Sequence, residues 1–122
     1  QCLFAGSNRM NYTPVYGWYY VDANNRSASW TGVPFLYKFL TTNTTRGPFA
    51  AVADISQMEP GDVIQLGDGT GRFYHSLLVT RIDGEPKVDT IYISTHTIDS
   101  LNRRLNTYQY GAIRFLHILG VY

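Results

Sequence analysis

The sequence holds one cysteine, Cys2, so no disulfide can close within its 122 residues. With only three histidines scattered beside it, a closed Cys/His zinc site lacks soft ligands, and neither a metal nor a cofactor is expected. Charge of one sign is missing as well. Ten Lys+Arg against nine Asp+Glu leave a net charge of +1 and a pI near 8.1. That balance supplies no basic face for a phosphate backbone and argues against a nucleic-acid partner. No apolar run reaches the about 18 residues that a bilayer-spanning helix needs, and the N-terminus has neither a basic region nor a signal-like apolar stretch. Internal repeats and linker-like runs are absent too, which points to one domain over residues 1–122.

What is present is aromatic. Ten Tyr, six Phe and two Trp, within a chain that is 44% hydrophobic, favour β structure around a packed core. Gln1-Cys2-Leu3-Phe4-Ala5 reads as the last turn of a helix that Gly6 ends. Such a helix has no beginning here, which suggests preceding residues and leaves an apolar surface through which copies can associate. Residues 7 to 30 mix Pro14, Gly17, Asn24 and Asn25 with Tyr12, Tyr16, Trp18, Tyr19, Tyr20 and Trp30, the pattern of a long irregular excursion with aromatic anchors. Thr31 is placed to cap a helix from Gly32 to Thr42, with Pro34 in its first turn and Phe35, Leu36, Phe39 and Leu40 as its apolar stripe. Beyond Ala50 the period changes to that of strands, expected at Asp62–Leu66, Phe73–Ile82, Val88–Thr95 and Ala112–Leu119. The fold class is α+β, its second half an antiparallel meander or small barrel.

Gly67-Asp68-Gly69-Thr70-Gly71 looks like a phosphate-cradling loop, but such a loop must feed a helix N-terminus and this one runs into a strand. A hairpin turn is the expectation. Arg103 and Arg104 have the chemistry to clamp an acidic group, but two adjacent arginines in a polar loop read as solvated cations. The informative pair is His75 and His96. If the turn Asp83-Gly84-Glu85-Pro86-Lys87 centres a hairpin near Glu85 and Pro86, His75 faces His96, Leu77 faces Ser94 and Val79 faces Tyr92. Leu78, Ile82, Ile91 and Ile93 then form the core face and the histidines leave on the other. Two imidazoles in reach of one another suit a thiol-dependent hydrolase, one as base and one as orienter. They also suit two strand positions that any Thr or Tyr could fill. His117 has no such partner and reads as an outward or satisfied strand histidine.

Several blocks resemble one family. Gln1-Cys2-Leu3-Phe4-Ala5-Gly6, Ser29-Trp30-Thr31-Gly32-Val33 with Leu36-Tyr37-Lys38-Phe39-Leu40, Glu59-Pro60-Gly61-Asp62-Val63-Ile64, Phe73-Tyr74-His75-Ser76 and Thr95-His96-Thr97 resemble the putative amidase domain family, related to NlpC-type and CHAP-type peptidoglycan amidases. The resemblance implies a papain-like fold, a helical part packed on a small antiparallel sheet or barrel, and a cysteine amidase or peptidase acting on bacterial cell-wall peptide. It implies His75 as general base and His96 as the third, orienting residue, with Asp99 the other choice. Trp30, Tyr74 and Ser76 fall in blocks that would meet substrate, and the setting would be extracellular or cell-wall associated.

One departure matters. The family's nucleophile sits in an Asp-Cys-Thr-Asn-Phe type segment, and Gln1-Cys2-Leu3 resembles the stretch about two helical turns beyond that segment. The nucleophile is therefore expected before Gln1, leaving these residues inactive alone. Cys2, one turn from Gly6, lies at the helix end that disfavours a thiolate and reads as a small buried core residue. The competing function is a non-catalytic wall-binding module in which Trp18, Tyr19, Tyr20 and Trp30 grip glycan or peptide; a plain structural role for these aromatics stands beside it.

Overall fold

The computed structural model of the protein describes residues 2–95 and 100–122, and the side chains of all of these except 2 and 100–102. The chain forms two compact units, Gln1–Ala51 with Ile118–Tyr122, and Val52–His117. Both halves of the α+β class are present, a small helical part and antiparallel sheets.

The first unit opens with α1 (Cys2–Ser7). Its end lies two residues beyond the expected one. Asn8, at φ 51°, takes the left-handed stop conformation, and its N–H bonds the Phe4 carbonyl, an arrangement asparagine tolerates nearly as well as glycine. The excursion after α1 is ordered by a buried asparagine. Asn11 exchanges backbone hydrogen bonds with Trp18, donates its side-chain amide to Thr45 Oγ1 and the Arg46 carbonyl, both at 3.1 Å, and accepts from the Thr13 N–H. A two-stranded ribbon, β1 (Tyr20–Asp22) against β2 (Asn25–Arg26), completes it.

Two helices come next, α2 (Ala28–Thr31) and α3 (Val33–Thr42). Thr31 ends the first rather than capping the second. Gly32 is the residue between them, with its N–H on the Ala28 carbonyl and no side-chain cap, and Pro34 sits in the first turn of α3 as expected. Phe39 and Leu40 are buried, but Phe35 of the expected stripe is exposed. The apolar centre of this unit is a ring cluster. Trp18, only 2% exposed, lies 4.8 Å from Trp30 and 5.8 Å from Phe39, centroid to centroid, and Tyr20 stacks on Trp30 at 5.8 Å. β3 (Pro48–Ala53), a strand without a strong alternating pattern, leaves this helical part beside the chain end, where Gly47 and Tyr122 exchange backbone bonds.

The second unit is a meander of β4 (Val63–Gly67), β5 (Phe73–Ile82), β6 (Ile91–Thr95) and β7 (Ser100–Arg104), with the part of β8 (Ala112–Val121) up to His117 on the free side of β4. The β4–β5 connection is the expected hairpin turn. Asp68 accepts from the N–H groups of Thr70 and Arg72 and from the Thr70 hydroxyl, and Gly71 takes φ +84°. Those hydrogen bonds hold the exposed Asp68 carboxyl below its usual pKa.

The β5–β6 hairpin differs from expectation by one residue. Leu78 faces Ser94 and Val79 faces Ile93, with a bulge between Val79 and Arg81. Two causes combine. Val88, Asp89 and Thr90 belong to the turn, where the Thr90 hydroxyl donates to the Glu85 carbonyl and accepts the Lys87 N–H, so β6 starts at Ile91. The bulge then changes the count again. A shift of one residue exchanges faces. The buried core is accordingly Met58, Ile64, Leu66, Leu77, Val79, Ile91, Ile93 and Leu105; of the expected set Ile91 and Ile93 belong to it, Ile82 packs against it partly buried, and Leu77 takes the place of Leu78.

Candidate active site

Alternation along β5 puts His75 on the same side as Leu77 and Val79, directly opposite the buried Leu66 of β4. His75 therefore does not leave the sheet opposite the core, as the expected register had it, but stands at the end of the core face and is half-buried. Thr95, in step with Ile91 and Ile93, is on that face too. Its hydroxyl meets His75 Nε2 at 3.1 Å and the Ser76 carbonyl at 3.4 Å. With its hydrogen on the Ser76 carbonyl the hydroxyl accepts from Nε2–H, and with its hydrogen on Nε2 it donates to the ring; in either tautomer Thr95 holds that edge of the imidazole.

The wall beside His75 comes from the far edge of the sheet. Ile93 opposes Arg103 of β7, so Arg103 shares the face. A short 3-10 turn, Leu105–Thr107, anchored by the fully buried Leu105, then brings Tyr108 back with its ring centroid 6.0 Å from that of His75. Burial among these groups pushes the His75 imidazole below its usual pKa, and the Arg103 charge lowers it further. At neutral pH the ring is the uncharged, proton-accepting form.

Tyr74 and Ser76 project from the opposite face of β5. Tyr74 is exposed, and the Ser76 hydroxyl accepts from Gln65 Nε2 at 3.0 Å, while Gln65 Oε1 accepts from Arg114 Nε at 2.7 Å. Trp30 belongs to the ring cluster of the first unit. Cys2 lies in α1, its side chain outside the described ones, and His96 and Asp99 lie outside the described residues. The two arginines expected to be solvated loop residues are strand residues with partners. Arg104 donates to the Tyr92 hydroxyl at 2.9 Å, and Arg103 lies over the Tyr108 ring at 4.0 Å. Tyr108 was not singled out from the sequence, and neither Arg103 nor Thr95 was placed beside His75; pairing Ile93 with Arg103 would have brought the arginine there, but a polar β7 gives no alternation to prompt that pairing.

Residues 1–119 match the family described as a putative amidase domain. The chain belongs to that family. Comparisons with curated proteins and with solved structures give no match. Membership brings amide-bond hydrolysis as the general reaction class, and within the match His75 is a half-buried histidine whose ring is held neutral. No group of three or more His, Cys, Asp or Glu among the described residues is arranged to hold a metal ion, and no described helix is long and apolar enough to cross a membrane.

Proposed function

We propose that this amidase domain is a cysteine-dependent hydrolase of peptide-type amide bonds in bacterial cell-wall material, with His75 as its general base. The observation that carries the reading is the His75 cell: a histidine uncharged at neutral pH, oriented through Nε2 by Thr95, inside the family match. The cysteine and the cell-wall substrate come from the resemblance to NlpC-type and CHAP-type amidases and to their papain-like fold. An extracellular or wall-associated setting comes from the same source.

In this reading the nucleophile is the cysteine of an Asp-Cys-Thr-Asn-Phe type segment, a motif that residues 1–122 do not contain. His75 takes the thiol proton as sulfur attacks the carbonyl carbon, then gives that proton to the departing amine. His75 then draws a proton from water as the water oxygen attacks the thioester carbon, the carbon–sulfur bond breaks to release the acid, and the proton passes back to the sulfur. His96, or Asp99, is the further orienting group, and Cys2 has no part in the chemistry. The wall-binding alternative loses its first anchor, because Trp18 is buried in the ring cluster.

The test is hydrolysis of a purified cell-wall peptide by the natural protein that contains this chain. Iodoacetamide should abolish turnover, and His75→Ala should lower it ~10²- to 10⁴-fold, the usual contribution of a general base. Near-normal turnover in His75→Ala, or after full alkylation, would contradict the proposal.

A further inference from the structure

Arg103 is more firmly held than a solvated arginine and less fully used than a structural one. Its Nε donates to the Thr107 hydroxyl at 2.6 Å and its Nη2 to the Thr107 carbonyl at 3.1 Å, while the guanidinium plane lies 4.0 Å over the Tyr108 ring. Those contacts fix the side chain at both edge and face. The ordering entropy that a flexible cation loses on binding a ligand is thereby already lost in the folded protein. A guanidinium has five N–H donors. Thr107 engages two of them, and among the described residues no carboxylate pairs with this arginine. The contrast with its neighbours is direct. Arg81 bonds Asp83 at 2.8 and 3.1 Å, and Arg114 bonds the Gln65 amide.

The location supplies the second half of the argument. Arg103 stands on the face of the sheet that carries His75. The ring it covers is the one beside the His75 imidazole, and its charge is felt there. A pre-oriented, half-buried cation that keeps N–H groups to spare among the described residues offers, close to the base, an edge on which something anionic can land. A ligand carboxylate fits the planar fork in two parallel hydrogen bonds. By offsetting the arginine's charge it would also strengthen the base when the correct ligand is in place.

We propose that Arg103, fixed by Thr107 and Tyr108, is a carboxylate-binding subsite beside His75, so that the preferred substrate is a peptide amide with a free carboxylate near the bond that is cut. The inference rests on the amidase reading for its catalytic half, but binding at Arg103 does not require turnover.

The experiment uses two short peptides that differ only in a free carboxylate or a carboxamide next to the scissile amide. Binding to the protein is followed on the Tyr108 ring protons, and hydrolysis is measured separately. The carboxylate peptide should bind on the order of ten-fold more tightly and be the better substrate in kcat/KM. Arg103→Gln should erase both preferences, so that the two peptides bind and react alike, with Arg103→Lys between them. Equal binding of the two peptides to the unaltered protein overturns the subsite, whatever the variants do, and so does a preference that survives Arg103→Gln. Preferential binding without hydrolysis of either peptide supports the subsite while counting against the amidase reading. Hydrolysis of both peptides at the same rate, with equal binding, does the reverse.

Discussion

Two strand histidines of the second unit, His75 and His117, stand in opposite surroundings. His117 on β8 holds a carboxylate: its Nδ1 is 2.8 Å from Asp62 Oδ2, and Asp62, 2% exposed, also accepts the Glu59 N–H. That contact ties β8 to the turn that starts β4. His75 instead meets a hydroxyl and an aromatic ring, with a fixed arginine close by. One setting uses an imidazole as a bolt. The other disfavours the charged form and keeps a base ready. Residue type and strand context are the same in both, so neighbours decide which histidine can do chemistry.

The comparison breaks most readily on turnover. His75→Ala should lose ~10²- to 10⁴-fold in amide hydrolysis, whereas the folded fraction of His117→Ala should turn over like the unaltered protein; equal losses in steady-state assays would erase the distinction. Stability should show the reverse order. Removing the imidazole strips a partner from a buried carboxylate, so His117→Ala should lower the unfolding free energy by ~1–3 kcal/mol in denaturant titration, with a smaller change for His75→Ala.

The acid limb of kcat/KM offers a finer test. Because the His75 pKa lies below 6.5 in the folded protein, activity should hold as pH falls through 6.5 and fail only below it. Arg103→Gln removes one of the two causes and should move that limb upward, towards 6.5. The smallest effect concerns stability against pH. A histidine whose folded pKa is depressed binds fewer protons in the native state, so its stabilising contribution is full above 6.5 and is lost as pH falls from there through the folded value. His75→Gln should flatten that part of the profile, measured as the midpoint of urea unfolding between pH 7 and pH 5.

The limits of the strands were legible where turn chemistry brackets them. Phe73–Ile82 coincides with β5, between Gly71 and the Asp83-Gly84 turn, and α3 was found apart from its cap. The register was not legible. It depends on Thr90 closing a turn with its side chain and on a bulge near Thr80, and neither leaves a mark in hydrophobic period. β7 was missed because Ser100 to Arg104 contains a single apolar residue, Leu101. His75 could be read from its block of residues. Its surroundings could not, since Thr95, Arg103 and Tyr108 are 20 or more positions away. The Asp62–His117 contact spans 55 positions, yet it lies one step beyond the Val63–Leu116 pair, so pairing the two expected strands would have found it.

The most direct measurement is an NMR titration of the His75 imidazole, assigned by comparison with His75→Gln. The account predicts a midpoint below 6.5 that rises when Arg103 is replaced by Gln. A midpoint at or above 6.5 that ignores Arg103 would contradict it, because His75 would then be an ordinary strand histidine and not a base kept neutral by its neighbours.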